Sequence, residues 1–166
     1  MRPNEITTLF EYNAWAFERV WECICQLSEA QFVEEIDYST GSIRNITVHM
    51  LSAADRWKSR LQGTPLPPHL AFEAFDTLSK AKAKWDALQA EFLAYVRCLS
   101  QEQLDAMVHW ELPARGLALE SPCWEILLHV ANHATDHRAQ ILATLHQHFH
   151  VKTVEQDLIL YLAEQR

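Results

Sequence analysis

Nine histidines stand in a chain of 166 residues, and six of them fall between His129 and His150. His129, His133 and His137 recur every fourth residue. On a helix, residues i and i+4 lie one turn apart on the same face, so an adjacent pair makes a two-ligand clamp for a transition metal. One ion cannot take all three, because the ends of the triplet are about 12 Å apart along the axis and metal–nitrogen bonds are about 2.0–2.1 Å. The face decides between the pairs. Leu127, Val130, Ala134, Ile141 and Leu145 mark the apolar stripe of this helix. At about 100° per residue, His137 lies nearest that stripe and His133 next, while His129 falls on the polar side with Glu125 and Asp136. An ion inside a bundle should therefore take His133 and His137.

A third ligand is sought on another helix. His49 is the only histidine inside the second helical segment, at the margin of the stripe made by Ile46, Ala53 and Trp57. His69 and His109 fall in connecting segments, and His146, His148 and His150 lie near a helix end, where they read as solvated. A single helical histidine is more often packed or solvated than a ligand; the i,i+4 pair and a third histidine at a second core margin make the case for a site. Three neutral imidazoles leave a divalent ion at least one open position, the pattern of a catalytic rather than a closed structural centre. Such an ion lowers the pKa of bound water or holds an incoming thiol as thiolate. Imidazole suits zinc, nickel and iron alike.

The elements that must position these residues are helical. The first helix is expected from about Asn4 to Leu27, with Ile6, Phe10, Phe17, Trp21 and Ile24 on one face. Asn13 falls on that apolar face, where a buried polar side chain needs partners; it is a candidate for orienting a ligand or substrate, or for a structural hydrogen bond. Ser28–Gln31 reads as a capping box, and 37–41 as a loop. Ser42 is the expected N-cap of a second helix over 43–61, closed by Gly63 and the Pro65–Pro68 run. Leu78, Ala81, Trp85, Leu88, Phe92, Tyr95 and Leu99 predict a third helix to Leu99. Ser100–Gln103 is another capping box, and 108–120 is the least helical stretch. Ser121 and Pro122 read as N-cap and first residue of a fourth helix ending near His146, and a last helix is expected from Thr153. The architecture predicted is all-α: one domain over residues 1–166, a four-helix bundle with short extra helices and long connections.

Composition narrows the function classes. A formal net charge of −8 disfavours nucleic acid and acidic membrane surfaces as partners. No basic-then-apolar leader opens the sequence, and no apolar run approaches the roughly 18 residues of a membrane helix, so a cytoplasmic protein is expected. Cys23, Cys25, Cys98 and Cys123 form no CxxC pair and read as reduced, structural thiols. Trp15, Trp21, Trp57, Trp85 and Trp124 read as core or interface residues. There is no Ser-His-Asp order, phosphate loop or HExxH, and no Glu-x-x-His pair of the di-iron type.

The order of motifs resembles the DinB/YfiT-like family over nearly the whole chain. Leu9-Phe-Glu-Tyr-Asn-Ala-Trp15 is similar to its first-helix signature, and Ser42 to His49, continuing to Ala54-Asp55-Arg-Trp57 and Gly63, to its second. His129 to Gln140 is similar to its fourth-helix signature, the most specific of these, and Asp157 to Leu162 to its closing helix. Ala139 stands where the family usually has glycine and Asp136 where an aromatic is common; neither change removes a ligand. The resemblance implies a four-helix bundle whose metal is held by His49, His133 and His137, matching the choice made from face geometry. It also implies a small-molecule substrate and, with so many tryptophans, a homodimer through a helix face. Characterised members are transferases and isomerases that use low-molecular-weight thiols; others are known as damage-inducible proteins. The expected activity is a metal-dependent S-transfer from such a thiol to a small electrophile. The alternatives are metal-assisted hydrolysis and non-catalytic, stress-related metal binding.

Overall fold

A computed structural model describes residues 1–166. Helix α1 spans Pro3–Ile24, and short α2 spans Glu29–Val33. Helix α3 (Ile43–Leu61) is followed by a long connection containing the single turn Phe72–Ala74. Helix α4 (Leu78–Arg97) leads through short α5 (Gln101–Asp105) into two strands, β1 (Met107–Leu112) and β2 (Leu117–Pro122). Helix α6 (Cys123–Gln147) is the longest, and α7 (Leu158–Glu164) closes the chain. The protein is mostly helical, as the periodicity predicts.

Local chemistry sets these boundaries. The Ser42 hydroxyl accepts from the Asn45 amide at 3.0 Å and so starts α3. Reciprocal capping boxes open α2 at Ser28 and α5 at Ser100. Helix α1 packs against α4 and α6, and α3 packs against the same two, so α1 and α3 face each other across the bundle. The core between them carries Phe10, Phe17, Ile46, Leu51, Trp85, Phe92, Leu127 and Ile141. Phe17 stacks on Trp85 and Phe10 on Phe92, joining α1 to α4 through aromatic faces. Ion pairs from Lys58 to Glu91 and from Lys84 to Asp55 (3.1 Å) join α3 to α4.

The structure corrects four boundaries. Helix α1 ends at Ile24 rather than Leu27, and α4 ends at Arg97 rather than Leu99, in each case ahead of the next capping serine. Ser121 and Pro122 do not open the fourth helix. They are the last residues of β2, paired with Val108 and Met107, and the helix begins at Cys123, whose amide donates to the Ala106 carbonyl at 2.9 Å. Ladder pairing overrides the capping signal there. The last helix starts at Leu158 rather than Thr153. The chain ahead of it is held extended because α1 side chains take its carbonyls: the Tyr12 hydroxyl donates to Gln156 at 2.8 Å and Arg19 to Glu155 at 3.2 Å.

The stretch 108–120 is an antiparallel hairpin, registered from Met107↔Pro122 to Leu112↔Leu117. Its tip is a turn over Pro113–Arg115 closed by Gly116, whose φ of +64° is left-handed and favours glycine. The Arg60 guanidinium of α3 donates to the Glu111 carbonyl at 3.0 Å and fastens the hairpin over α3. No helix is long and apolar enough to cross a membrane.

Candidate metal centre

The margins of α3 and α6 meet where His49, His133 and His137 converge. The Nε2 atoms of His49 and His133 are 3.3 Å apart, and those of His133 and His137 are 3.2 Å apart. One ligand atom from each of the three lies within 4.8 Å of the others. Two nitrogens bonded to one ion at about 2.0–2.1 Å in tetrahedral geometry stand about 3.3–3.4 Å apart. The two short spacings therefore suit a divalent ion bound by these imidazoles.

The protonation states suit it as well. Burial, reinforced by the neighbouring imidazoles, holds the His133 pKa down to about 3. Burial, then His137 and His69, lowers that of His49. Both rings are neutral at physiological pH, with lone pairs to offer.

A hydrogen-bond chain fixes the tautomer of His137. The Gln140 amide nitrogen donates to the Asp136 carboxylate at 3.1 Å. A carboxylate accepts only, so the Gln140 carbonyl oxygen faces the other way, 3.0 Å from His137 Nδ1. That oxygen also accepts from the Ser39 hydroxyl at 2.5 Å. His137 Nδ1 must then be the donor, so that in the neutral ring the lone pair is on Nε2, which faces the other two histidines. Ser39 holds its place in a left-handed backbone conformation, φ +54°, which is uncommon for a residue with a side chain. Asp136, one of the two departures from the family pattern, thus steers the carbonyl that orients a candidate ligand.

His129 lies on the exposed side of α6, as its spacing predicts, but it does not stand free in solvent. Its ring packs edge-on against Trp57 at 5.1 Å between centroids, and partial burial lowers its pKa. It lines a cavity of about 370 Å³ that also reaches His49, His133, His69 and the hairpin tip. The polar side of α6 is covered here by Trp57 and the hairpin, neither of which helix periodicity can place. His69 sits 3.4 Å from the Ser52 hydroxyl, while His146, His148 and His150 are exposed at the far end of α6.

Asn13 is 4% exposed and faces Arg138, which is 0% exposed. The Arg138 guanidinium donates to the Asn13 carbonyl oxygen, to Gln156 Oε1 at 2.6 Å and to the Thr135 hydroxyl at 3.0 Å, and lies over the Tyr12 ring. Burial lowers its pKa to about 10, so it remains charged at neutral pH. No hydrogen bond joins Asn13 to the three histidines; its carbonyl oxygen is taken by the buried cation, and Asn13 lines a mostly apolar pocket together with His133. Sequence reasoning passed over Arg138. The signal was present, since positions 134, 138, 141 and 145 run along one apolar stripe and a cation among them must find partners.

Residues 1–155 match the sequence profile of the DinB family. The protein named Protein DinB from Bacillus subtilis (strain 168) is 30% identical over 145 residues, covering 84% of this chain and 83% of its own. With a helical bundle and three histidines gathered between its second and fourth long helices, the chain belongs to the DinB family.

Proposed function

We propose that His49, His133 and His137 bind one divalent ion, zinc, nickel or iron, and that the protein joins a low-molecular-weight thiol through its sulfur to a small electrophile. The observation that carries this reading is the donor set: three imidazole nitrogens, spaced for one ion, beside a cavity open to solvent. A divalent ion so held supplies Lewis acidity and lowers the pKa of a thiol that reaches it. The protein's own part is to hold three imidazole rings in place, with Gln140 fixing the tautomer of one, and to offer a cavity wide enough for two small reactants. The thiol sulfur forms a bond to the electrophilic carbon, the leaving group departs with the bonding pair, and the thiol proton passes to solvent.

The test is a pH–rate profile with one thiol and one chromogenic aryl halide, run on as-isolated and metal-stripped protein. The rate of the metal-loaded form is expected to stay high in mildly acidic solution, below the free-thiol pKa of about 8.5. Superimposed profiles would overturn the reading in favour of non-catalytic metal binding. Hydrolysis of an activated ester without added thiol would favour metal-assisted hydrolysis.

A further inference from the structure

The cavity lined by His49 and His133 has a second feature, its charge. The chain carries 22 acidic and 14 basic residues, yet no Asp or Glu lines this cavity. Its ionisable lining beyond the triad is Arg56, Arg60, Arg115, His69 and His129. None of the three arginines forms a salt bridge, although lysines elsewhere on α3 and α4 do.

Backbone and aromatic groups hold two of them in place instead. Arg56 donates to the Pro67 carbonyl, and Arg60 donates to the Glu111 carbonyl and lies 4.6 Å over the Trp57 ring. A carbonyl orients a guanidinium without cancelling its charge, and each guanidinium has five N–H donors of which these bonds use one. Arg115 comes from the hairpin tip, across the cavity from α3, and forms no hydrogen bond. Burial and the nearby Arg56 both lower the pKa of Arg60, as expected where two cations share a wall without a counter-ion. Keeping three arginines together in an acidic protein is unfavourable unless something anionic completes the site.

We infer that Arg56, Arg60 and Arg115 capture a small molecule bearing at least two anionic oxygen groups, placing the rest of that molecule over His49 and His133. Planar guanidinium groups recognise carboxylate and phosphoryl oxygens in pairs, so either chemistry fits the arginines. This rests on the proposal that the cavity is the reactant site and adds the charge class of one reactant. Trp57 serves as a positioning residue, in contact with both Arg60 and His129.

The test is calorimetric titration of the full chain, as isolated and after metal removal, with succinate, inorganic phosphate and neutral succinamide at low ionic strength. Succinate or phosphate is expected to bind and succinamide not to bind. Tighter succinate assigns a carboxylate ligand, and tighter phosphate a phosphoryl one. Arg56→Gln combined with Arg115→Gln should weaken the anion about tenfold or more, since each charge-assisted contact is worth about that much. Lys152→Gln removes one positive charge from an exposed site outside the cavity and should change little. Arg115→Gln alone, at the exposed tip, tests the inference without risk to the core. Unchanged anion affinity in the arginine variants, or succinamide bound as tightly as succinate, would overturn it. Metal content measured in every sample keeps the two proposals separable: loss of anion binding with full metal content touches only the arginines.

Discussion

Asn13→Ala should unsettle the fold and leave the metal in place. The substitution removes the carbonyl oxygen that accepts from Arg138, a guanidinium with no solvent exposure. A hydrogen bond to a charged group contributes about 1.5–3 kcal/mol, and the buried donor left behind cannot turn to water. Gln156 and Thr135 still hold the other nitrogens, so the loss should not reach the 3–5 kcal/mol of a fully orphaned buried charge. We expect about 2–3 kcal/mol of destabilisation, or a Tm lowered by about 4–12 °C at about 2–4 °C per kcal/mol for a chain of this size. The assay is paired: thermal unfolding followed by circular dichroism, and metal content by plasma mass spectrometry after identical loading. Arg138→Met removes the buried charge but leaves the Asn13 carbonyl oxygen without its donor, so it too should destabilise the fold. An unmoved Tm in Asn13→Ala with a fall in bound metal would refute this account and assign Asn13 to the metal site.

The remaining predictions concern the histidines. His49→Ala, His133→Ala and His137→Ala should each remove most of the bound metal, and His129→Ala should remove little, because its ring packs on Trp57 outside the triad; equal losses in all four would reject the assignment. Gln140→Leu should lower metal affinity about 10–100-fold, the usual effect of losing a partner that orients a ligand, with competition against a chromogenic chelator as the readout. The metal-stripped protein should lose stability as pH falls from 6.5 through about 3, because the unfolded chain protonates His133 while the fold keeps it neutral. Denaturant midpoints that stay flat over that window would contradict the burial of this imidazole.

The long helices were legible because each buries one stripe, and three- and four-residue spacing of large apolar side chains has no other economical reading. The positions of His49, His133 and His137 relative to the core followed from the same arithmetic. Features decided by pairing between distant segments were not legible. Ser121 and Pro122 have ideal chemistry for opening a helix, yet Met107 and Val108 claim them for a ladder. Thr153 could begin a helix, but Tyr12 and Arg19 take the carbonyls that follow. The cavity's positive lining combines residues from α3 and the hairpin tip, about sixty positions apart in sequence, and only the fold brings them to one cavity.

The bond between Asn13 and Arg138 spans 125 residues of chain, which bears on how the protein is made. Helix α1, with Phe10 and Phe17 on its surface, is made well before α6 and the segment carrying Gln156. Until they arrive, the apolar face of α1 has only α3 and α4 to cover it, and the polar notch at Asn13 has no cation to fill it. Closing the bundle therefore means joining segments more than a hundred residues apart, and the entropy of closing so long a loop slows folding.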